Sequence, residues 1–524
     1  MHTMRTLRNT LTAFMAPMAL AAILTVACSR PTAMVPETFE EAGRPASIFP
    51  DYTNVVIPPN IAPLNFMLKD TALTAVVASF QGKGDPLVVG GGEDAKVEID
   101  TTCWRSLLQE NRGGDIRVSL YARQGDRWLH YPDYTLTVAE EDIDGYLSYR
   151  LIEPGYELYR QLGLYQRNLT NWNERIIYEN NRKYSDKDNH CINCHNYQNY
   201  GTDNMLFHVR AGHGGTIIVH NGEARKVLIK DSTIITSGVY PSWHPTEQLV
   251  AFSTNKTGQT FHLFHAEKVE VLDETSDLLL YDAEKNEVSH ILRTRDQLET
   301  FPCWAPDGRR LYYCCADLRR RMDTNVSDSV LLMAVVGKHD SLYYDMYSVD
   351  FYHATRRFGT PRMEVDAAVH RKSLSVPRVS PDGRYVLYTQ GNYGQFHIWH
   401  ISADLWVKDL ERDTCYALSA ANSPDPDSFH SWSSNGRWIA FSSRRMDKNY
   451  TRPFIAYFDK NGQAHKAFAM PQRDPEYNQL LLKSYNVPEL TREEVKISPE
   501  ALRDCIYNTD GDLAKYLPGK GVGN

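Results

Sequence analysis

Six consecutive residues, His190-Cys191-Ile192-Asn193-Cys194-His195, hold the densest chemistry in the chain. Two cysteines two residues apart, followed at once by histidine, form the C-x-x-C-H pattern of covalent haem attachment. Each thiol can bond one haem vinyl group, and the turn that holds them delivers an imidazole to the iron. The expectation is one haem c, tethered by Cys191 and Cys194, with His195 as axial iron ligand. Two other readings stay open. A zinc half-site needs two further ligands, which are not clustered elsewhere in the same way, and a local disulfide is cramped at this spacing. For the sixth iron position, Met205, His208 and His213 lie a short loop downstream, with His208 the first candidate and Met205 the second. A structural histidine beginning a strand and a core methionine are the ordinary alternatives. His244 sits at a later turn and reaches the iron only through folding, and His190 adjoins Cys191 too closely to reach the far haem face. Two protein ligands would favour electron transfer, whereas an open position would allow ligand sensing or peroxide chemistry.

The N-terminus sets the compartment. Arg5 and Arg8 precede an apolar run from Leu11 to Ala27 that ends Thr25-Val26-Ala27-Cys28. A positive start and a short apolar run read as a secretory signal over 1–27. Ala27-Cys28 resembles a bacterial lipoprotein cleavage box, which implies lipidation of Cys28, although Thr25 stands where leucine is usual. An ordinary signal peptide or an uncleaved anchor are the alternatives. Ser29 and Arg30 bring no acidic residue, and by resemblance to lipoprotein sorting this implies the outer membrane, facing the periplasm. Export agrees with the haem expectation, because bacteria attach c-type haem outside the cytoplasm. Residues 28–62, with Pro31, Pro36, Pro45, Pro50, Pro58 and Pro59, read as a tether.

The chain of 524 residues carries a net charge of −8, and no basic stripe interleaved with aromatics appears, so nucleic acid is not an expected partner. The expected partners are an envelope or periplasmic protein, with a redox protein among the candidates, and the membrane through the lipid. Cys103, Cys303, Cys314, Cys315, Cys415 and Cys505 remain, an even number in an oxidising compartment. Cys303 and Cys314-Cys315 flank one hairpin and have the spacing either to meet across it or to stay buried as thiols. The sequence has no Gly-x-Ser-x-Gly elbow, no His-Glu-x-x-His and no glycine-rich phosphate loop after a strand, so an enzyme is the less favoured class.

The elements that must position the motif are mainly strands. Short alternating runs over 63–142, broken by Gly and Asp turns, predict a small β-sandwich with one helix near Trp104–Glu110. Residues 143–204 read as a connector carrying the C-x-x-C-H turn, with helical spacing at Leu158, Leu162 and Tyr165. Over 205–490 one turn recurs as Trp243-His244-Pro245-Thr246, Trp304-Ala305-Pro306-Asp307-Gly308, Val379-Ser380-Pro381-Asp382-Gly383 and Trp432-Ser433-Ser434-Asn435-Gly436, with starts 61, 75 and 53 residues apart. An apolar strand follows each, the spacing of propeller blades with insertions. These turns resemble those of β-propellers of the TolB type. Together with a lipoprotein start and C-x-x-C-H, the chain is similar to TolB-like lipoproteins of Bacteroidetes-type bacteria. The resemblance implies a predominantly all-β fold, a six-bladed propeller, and as the competing function a haem-independent protein-interaction scaffold. Residues 491–524 read as a tail, after an expected strand at Leu480–Tyr485, with a helix from Pro499 capped by Ser498.

Overall fold

The computed structural model describes residues 33–153, 162–180, 190–261, 267, 269–318 and 339–518. The fold is all-β. Six antiparallel four-stranded units follow one another, the third and fourth joined within one ten-stranded sheet and the second extended by Asp512–Leu513, and we number them as blades in ring order. Blade 2 is His190–Tyr197, Asn204–Ala211, Gly215–His220 and Glu223–Leu228. Blade 3 is Val239–Trp243, Leu249–Phe261, Val269–Asp282 and Glu287–Leu292. Blade 4 is Gln297–Trp304, Arg310–Asp317, Asp345–Tyr352 and Arg362–Val365. Blade 5 is Ser373–Val379, Tyr385–Gly391, Asp404–Asp409 and Thr414–Ala417. Blade 6 is Asp427–Trp432, Trp438–Ser443, Arg452–Tyr457 and Phe468–Ala469.

Blade 1 closes the ring. Its inner strand, Ser484–Thr491, comes from near the C-terminus and pairs with Tyr146–Ile152, which continues to Gly163–Asn168 and Glu174–Glu179. The six inner strands each pack against the next, from blade 1 through blade 6 and back to blade 1. This is a six-bladed propeller whose two chain ends are joined within one sheet, so no sheet edge is left open at the seam.

Every inner strand contains the same irregularity. Val487, Cys194, Tyr240, Phe301, Val376 and Phe429 have φ of 50°, 54°, 47°, 52°, 52° and 46°. The ladder register shifts at each of these sites. Left-handed backbone is costly for side chains of this size, so its sixfold recurrence marks a constraint imposed by the architecture. The next residue is Pro488, His195, Pro241, Pro302, Pro377 and His430. A β-bulge leaves one residue without a ladder partner, which is where proline's missing N–H does no harm.

This frame corrects several expectations. The segment 143–204 is not a separate connector, since it supplies three strands of blade 1 and the inner strand of blade 2. Four-stranded sheets therefore begin at Tyr146, ahead of residue 205. Of the helix expected around Leu158–Tyr165, residues 154–161 lie outside the described residues and Gly163–Asn168 is a strand. Leu480 ends a short helix, Tyr477–Leu480, and the strand starts only at Ser484. The tail helix spans Pro499–Asn508, with Ser498 Oγ accepting Ala501 N–H at 3.2 Å.

The described part of the expected tether is folded: Glu40–Glu41 and Val55–Ile57 pair into a six-stranded N-terminal sheet and Ile48–Phe49 into a second sheet of only three short strands, so with the helix Thr101–Glu110 the expected sandwich is lopsided and begins ahead of residue 63. Trp104, Leu107 and Leu108 are the helix's buried face, and Trp104 Nε1 donates to the Ile61 carbonyl at 3.1 Å. Its core runs without a break into blades 5, 6 and 1 through Leu387, Trp438, Phe441 and Tyr485. In blade 3 the hairpin of Leu249–Phe261 and Val269–Asp282 outgrows the blade and reaches blade 5. There Glu270 accepts from Tyr393 and meets His400 Nε2 at 3.0 Å, and Asp273 accepts from Tyr344 Oη at 3.3 Å. Cys303, Cys314 and Cys315 are buried free thiols, so the blade 4 hairpin carries no disulfide.

Candidate functional site

The C-x-x-C-H residues lie on the inner strand of blade 2, paired with Asn204–Ala211. Cys191 and Cys194 are half-buried free thiols. Burial pushes the Cys194 thiol up, while Arg210 and Arg150 work in the opposite direction. His195 is 4% exposed. Burial, with some help from Arg150, takes its pKa down to about 3, so the ring is neutral near pH 7. The Val487 carbonyl takes a hydrogen bond from the ring, and Nε2 has no hydrogen-bond partner, so the bond comes from Nδ1. A neutral imidazole whose Nδ1–H is held by a carbonyl presents the Nε2 lone pair, the state required of a metal ligand.

Glu489, on the closing strand of blade 1, faces this ring, with Oε2 4.0 Å from His195 Nε2. Its Oε1 accepts Asn196 Nδ2–H at 2.9 Å and Tyr197 N–H at 3.1 Å. Burial raises the Glu489 pKa to about 7 against those bonds. The second of them belongs to a relay between blades. Asn196 Oδ1 accepts Trp243 N–H at 3.0 Å, Ser242 Oγ accepts Trp304 N–H at 3.1 Å, and Ser431 Oγ accepts Leu490 N–H at 3.3 Å. Cys303 accepts from Val379 N–H in the same place. Blade 5 carries Arg378 at this position, a side chain with no acceptor atom.

The other residues singled out in the sequence divide. Met205 is fully buried in the apolar core with Ile192, Tyr197 and Phe207, paired across from Tyr197. His208 lies opposite Asn193, its Nδ1 3.4 Å from Thr216 Oγ1, and burial takes its pKa to about 3. His213 packs against Tyr507 with ring centroids 4.3 Å apart. His190 Nε2 lies 3.2 Å from Tyr178 Oη. His244 caps its turn: Nδ1 accepts Glu247 N–H at 3.0 Å, and Nε2 donates to the Gly308 carbonyl at 3.1 Å. Both roles are structural. Cys28 lies outside the described residues.

The geometry separates the metal readings. Among the described residues, one trio of His, Cys, Asp or Glu has donor atoms within 4.8 Å of one another: His244, Glu247 and His353. Both nitrogens of His244 are already bonded, and Arg356 Nη2 stands 3.3 Å from Glu247 Oε2, so this trio is a turn and an ion pair. Cys191, Cys194 and His195 do not converge on a single ion-sized point, which disfavours zinc. Two free thiols and one neutral imidazole whose Nε2 makes no hydrogen bond are the donor types that a c-type haem uses.

The signal for Glu489 lay in the sequence. Val487-Pro488 matches Tyr240-Pro241, Phe301-Pro302 and Val376-Pro377, and Cys194-His195 stands in the same frame. The turn after it, Gln198 to Gly201, closes by Gly201 N–H to the Gln198 carbonyl at 3.0 Å, like the Pro-Asp-Gly turns at Gly308 and Gly383. Arg150 and Arg210 carry no comparable sequence mark.

No family model matches this sequence, and no curated protein matches it. Among solved structures, TolB from Acinetobacter baumannii is similar at 13% identity over 75% of this chain and 85% of that one, with a TM-score of 0.40. An oligogalacturonate lyase in complex with manganese is similar at 12% identity over 80% of this chain and 99% of that one, with a TM-score of 0.30. Likeness at this level assigns no family. The propeller stands on this chain's own ring of blades.

Proposed function

We propose that this chain is an exported binding propeller: a scaffold that presents its blades to an envelope partner and carries one c-type haem on blade 2. The scaffold part is supported by the closed ring itself, a fold that hosts many functions through sites grafted on it. The haem part rests on one observation, the buried Nε2 of His195, which makes no hydrogen bond, in one motif with two free thiols. In this reading Cys191 and Cys194 tether the haem and His195 ligates its iron. Bound there, haem would supply a one-electron couple. The chain's own contribution is to fix the imidazole through the Val487 carbonyl, keep it neutral by burial, and set the Glu489 carboxylate beside it.

Export and lipid attachment at Cys28 belong to the same proposal, supported by the apolar leader before Ala27-Cys28. No helix among the described residues is long and apolar enough to cross a membrane. The test is a pyridine haemochrome spectrum with haem staining of a denaturing gel, on full-length protein made with its own leader and a c-type maturation system. A stoichiometric signal that survives denaturation is expected. Its absence leaves the haem-independent scaffold.

A further inference from the structure

The two residues between the cysteines are each held by an arginine from a different strand. Arg150, on the second strand of blade 1, donates Nη1–H to the Ile192 carbonyl at 3.1 Å. Arg210, on the second strand of blade 2, lies opposite Cys191. With the Asn193 amide oriented so that Oδ1 accepts, Arg210 donates to it from Nε and Nη2 at 3.2 Å each. Both guanidinium groups therefore stand against the same four-residue segment.

Their partners are incomplete. Arg150 Nε is buried without a hydrogen-bond partner. Among the described residues neither arginine has a carboxylate within 4.0 Å, and the acid on the inner strands nearby, Glu489, gives one oxygen to Asn196 and Tyr197. Both charges act on Cys194 and on Tyr240, and Arg150 is half-buried; like charges that share surroundings repel each other, and an anion bound by both removes that cost. The planar fork of each guanidinium matches a carboxylate through two parallel hydrogen bonds. Cys194, Tyr240 and His195 also sense Arg150, which places this positive field beside the thiols and the imidazole.

We propose that Arg150 and Arg210 form a clamp for the two carboxylates of one ligand beside Cys194, either the propionates of the haem or those of a free dicarboxylic acid. The first source rests on the haem reading above, and the second does not.

The test uses full-length protein with Cys191→Ser/Cys194→Ser, so that porphyrin binding is reversible and readable as an equilibrium. Iron protoporphyrin and its dimethyl ester, whose propionates are capped, are titrated by their visible spectra, and succinate is titrated by thermal shift. The clamp predicts that adding Arg150→Gln and Arg210→Gln weakens iron protoporphyrin on the order of tenfold or more and leaves the ester unchanged. Arg150→Lys should recover only part of the loss, because it restores the charge without the fork. If instead succinate alone stabilises the protein in an arginine-dependent way, the clamp stands with a free dicarboxylic acid as occupant. Equal binding of acid and ester, with no arginine-dependent effect of succinate, overturns the proposal. Arg210 is exposed, so Arg210→Gln alone serves as the variant whose folding is not in question. A haemochrome signal in the wild-type chain is scored separately, so the haem reading and the clamp fail independently.

Discussion

His195 in blade 2 and His430 in blade 6 occupy the same position of the same frame, one residue after a left-handed bulge where the other blades carry proline. Both are buried, and burial brings both down to a pKa of about 3. Their rings differ in what they meet. His430 Nε2 donates to the Leu387 carbonyl at 3.2 Å, and its Nδ1 lies 3.4 Å from Thr389 Oγ1, so both nitrogens are used. His195 uses one and leaves Nε2 facing a carboxylate 4.0 Å away. Position in the propeller therefore accounts for a histidine at 195 but not for its free nitrogen. The fold tolerates histidine where proline is usual, and only blade 2 couples that histidine to two thiols.

The largest effect expected from this difference is all-or-none. Cys191→Ala/Cys194→Ala should abolish covalent haem while the equivalent position in blade 4, tested by Phe301→Val, leaves haem content unchanged. Gel haem staining of both variants reads this out, and retained haem in the cysteine variant would break the comparison.

The next effect is on pH dependence. A histidine whose folded pKa is below its unfolded value binds a proton in the unfolded chain first, so its stabilising contribution is complete above about pH 6.5 and is lost as pH falls toward about 3. Each of the two should add up to one proton of slope, about 1.4 kcal/mol per pH unit. His430→Gln and His195→Gln should each flatten urea-derived stability between pH 6.5 and 4 in haem-free protein. The covalent tether keeps His195 on the iron in the unfolded chain as well, so neither state takes up that proton, and haem-loaded protein should stay sensitive to His430→Gln and lose most of its sensitivity to His195→Gln.

A smaller effect separates the two rings at fixed pH. His430→Ala removes two partnered nitrogens and leaves the Leu387 carbonyl without its side-chain donor, which should cost about 1–3 kcal/mol more than the ring's packing alone. His195→Ala in haem-free protein loses only the bond to Val487 and should cost less, by chemical denaturation. The smallest is in the relay between blades: Ser242→Ala removes the acceptor of Trp304 N–H and should lower stability by about 1 kcal/mol without changing haem content.

How much of this was legible in sequence follows from the period of the signal. The four Trp/Val-x-Pro-type turns announce their strands because proline and glycine fix local backbone, so blades 3 to 6 could be read directly. Blades 1 and 2 were hidden for physical reasons. The blade 2 turn uses Gln198-Asn199-Tyr200-Gly201, where Asn199 and Tyr200 take left-handed backbone in place of proline, and histidine replaces proline at 195. Blade 1 has no local signature because its inner strand lies more than three hundred residues from its second strand, as Leu490↔Leu147 shows. Short-range spacing singled out the three candidate residues and the recurring X-Pro frame marks the position of Glu489, but neither points to Arg150 or Arg210, which only the closed ring brings alongside.

The role of His195 Nε2 is tested most directly by the oxidised and reduced visible spectrum of the haem-loaded full-length chain beside His195→Ala, at matched haem content. Covalent haem should persist in His195→Ala while the spectrum shifts to that of an iron lacking its histidine. Identical spectra for the two proteins would contradict it, because His195 would then hold no iron and its free nitrogen would need another explanation.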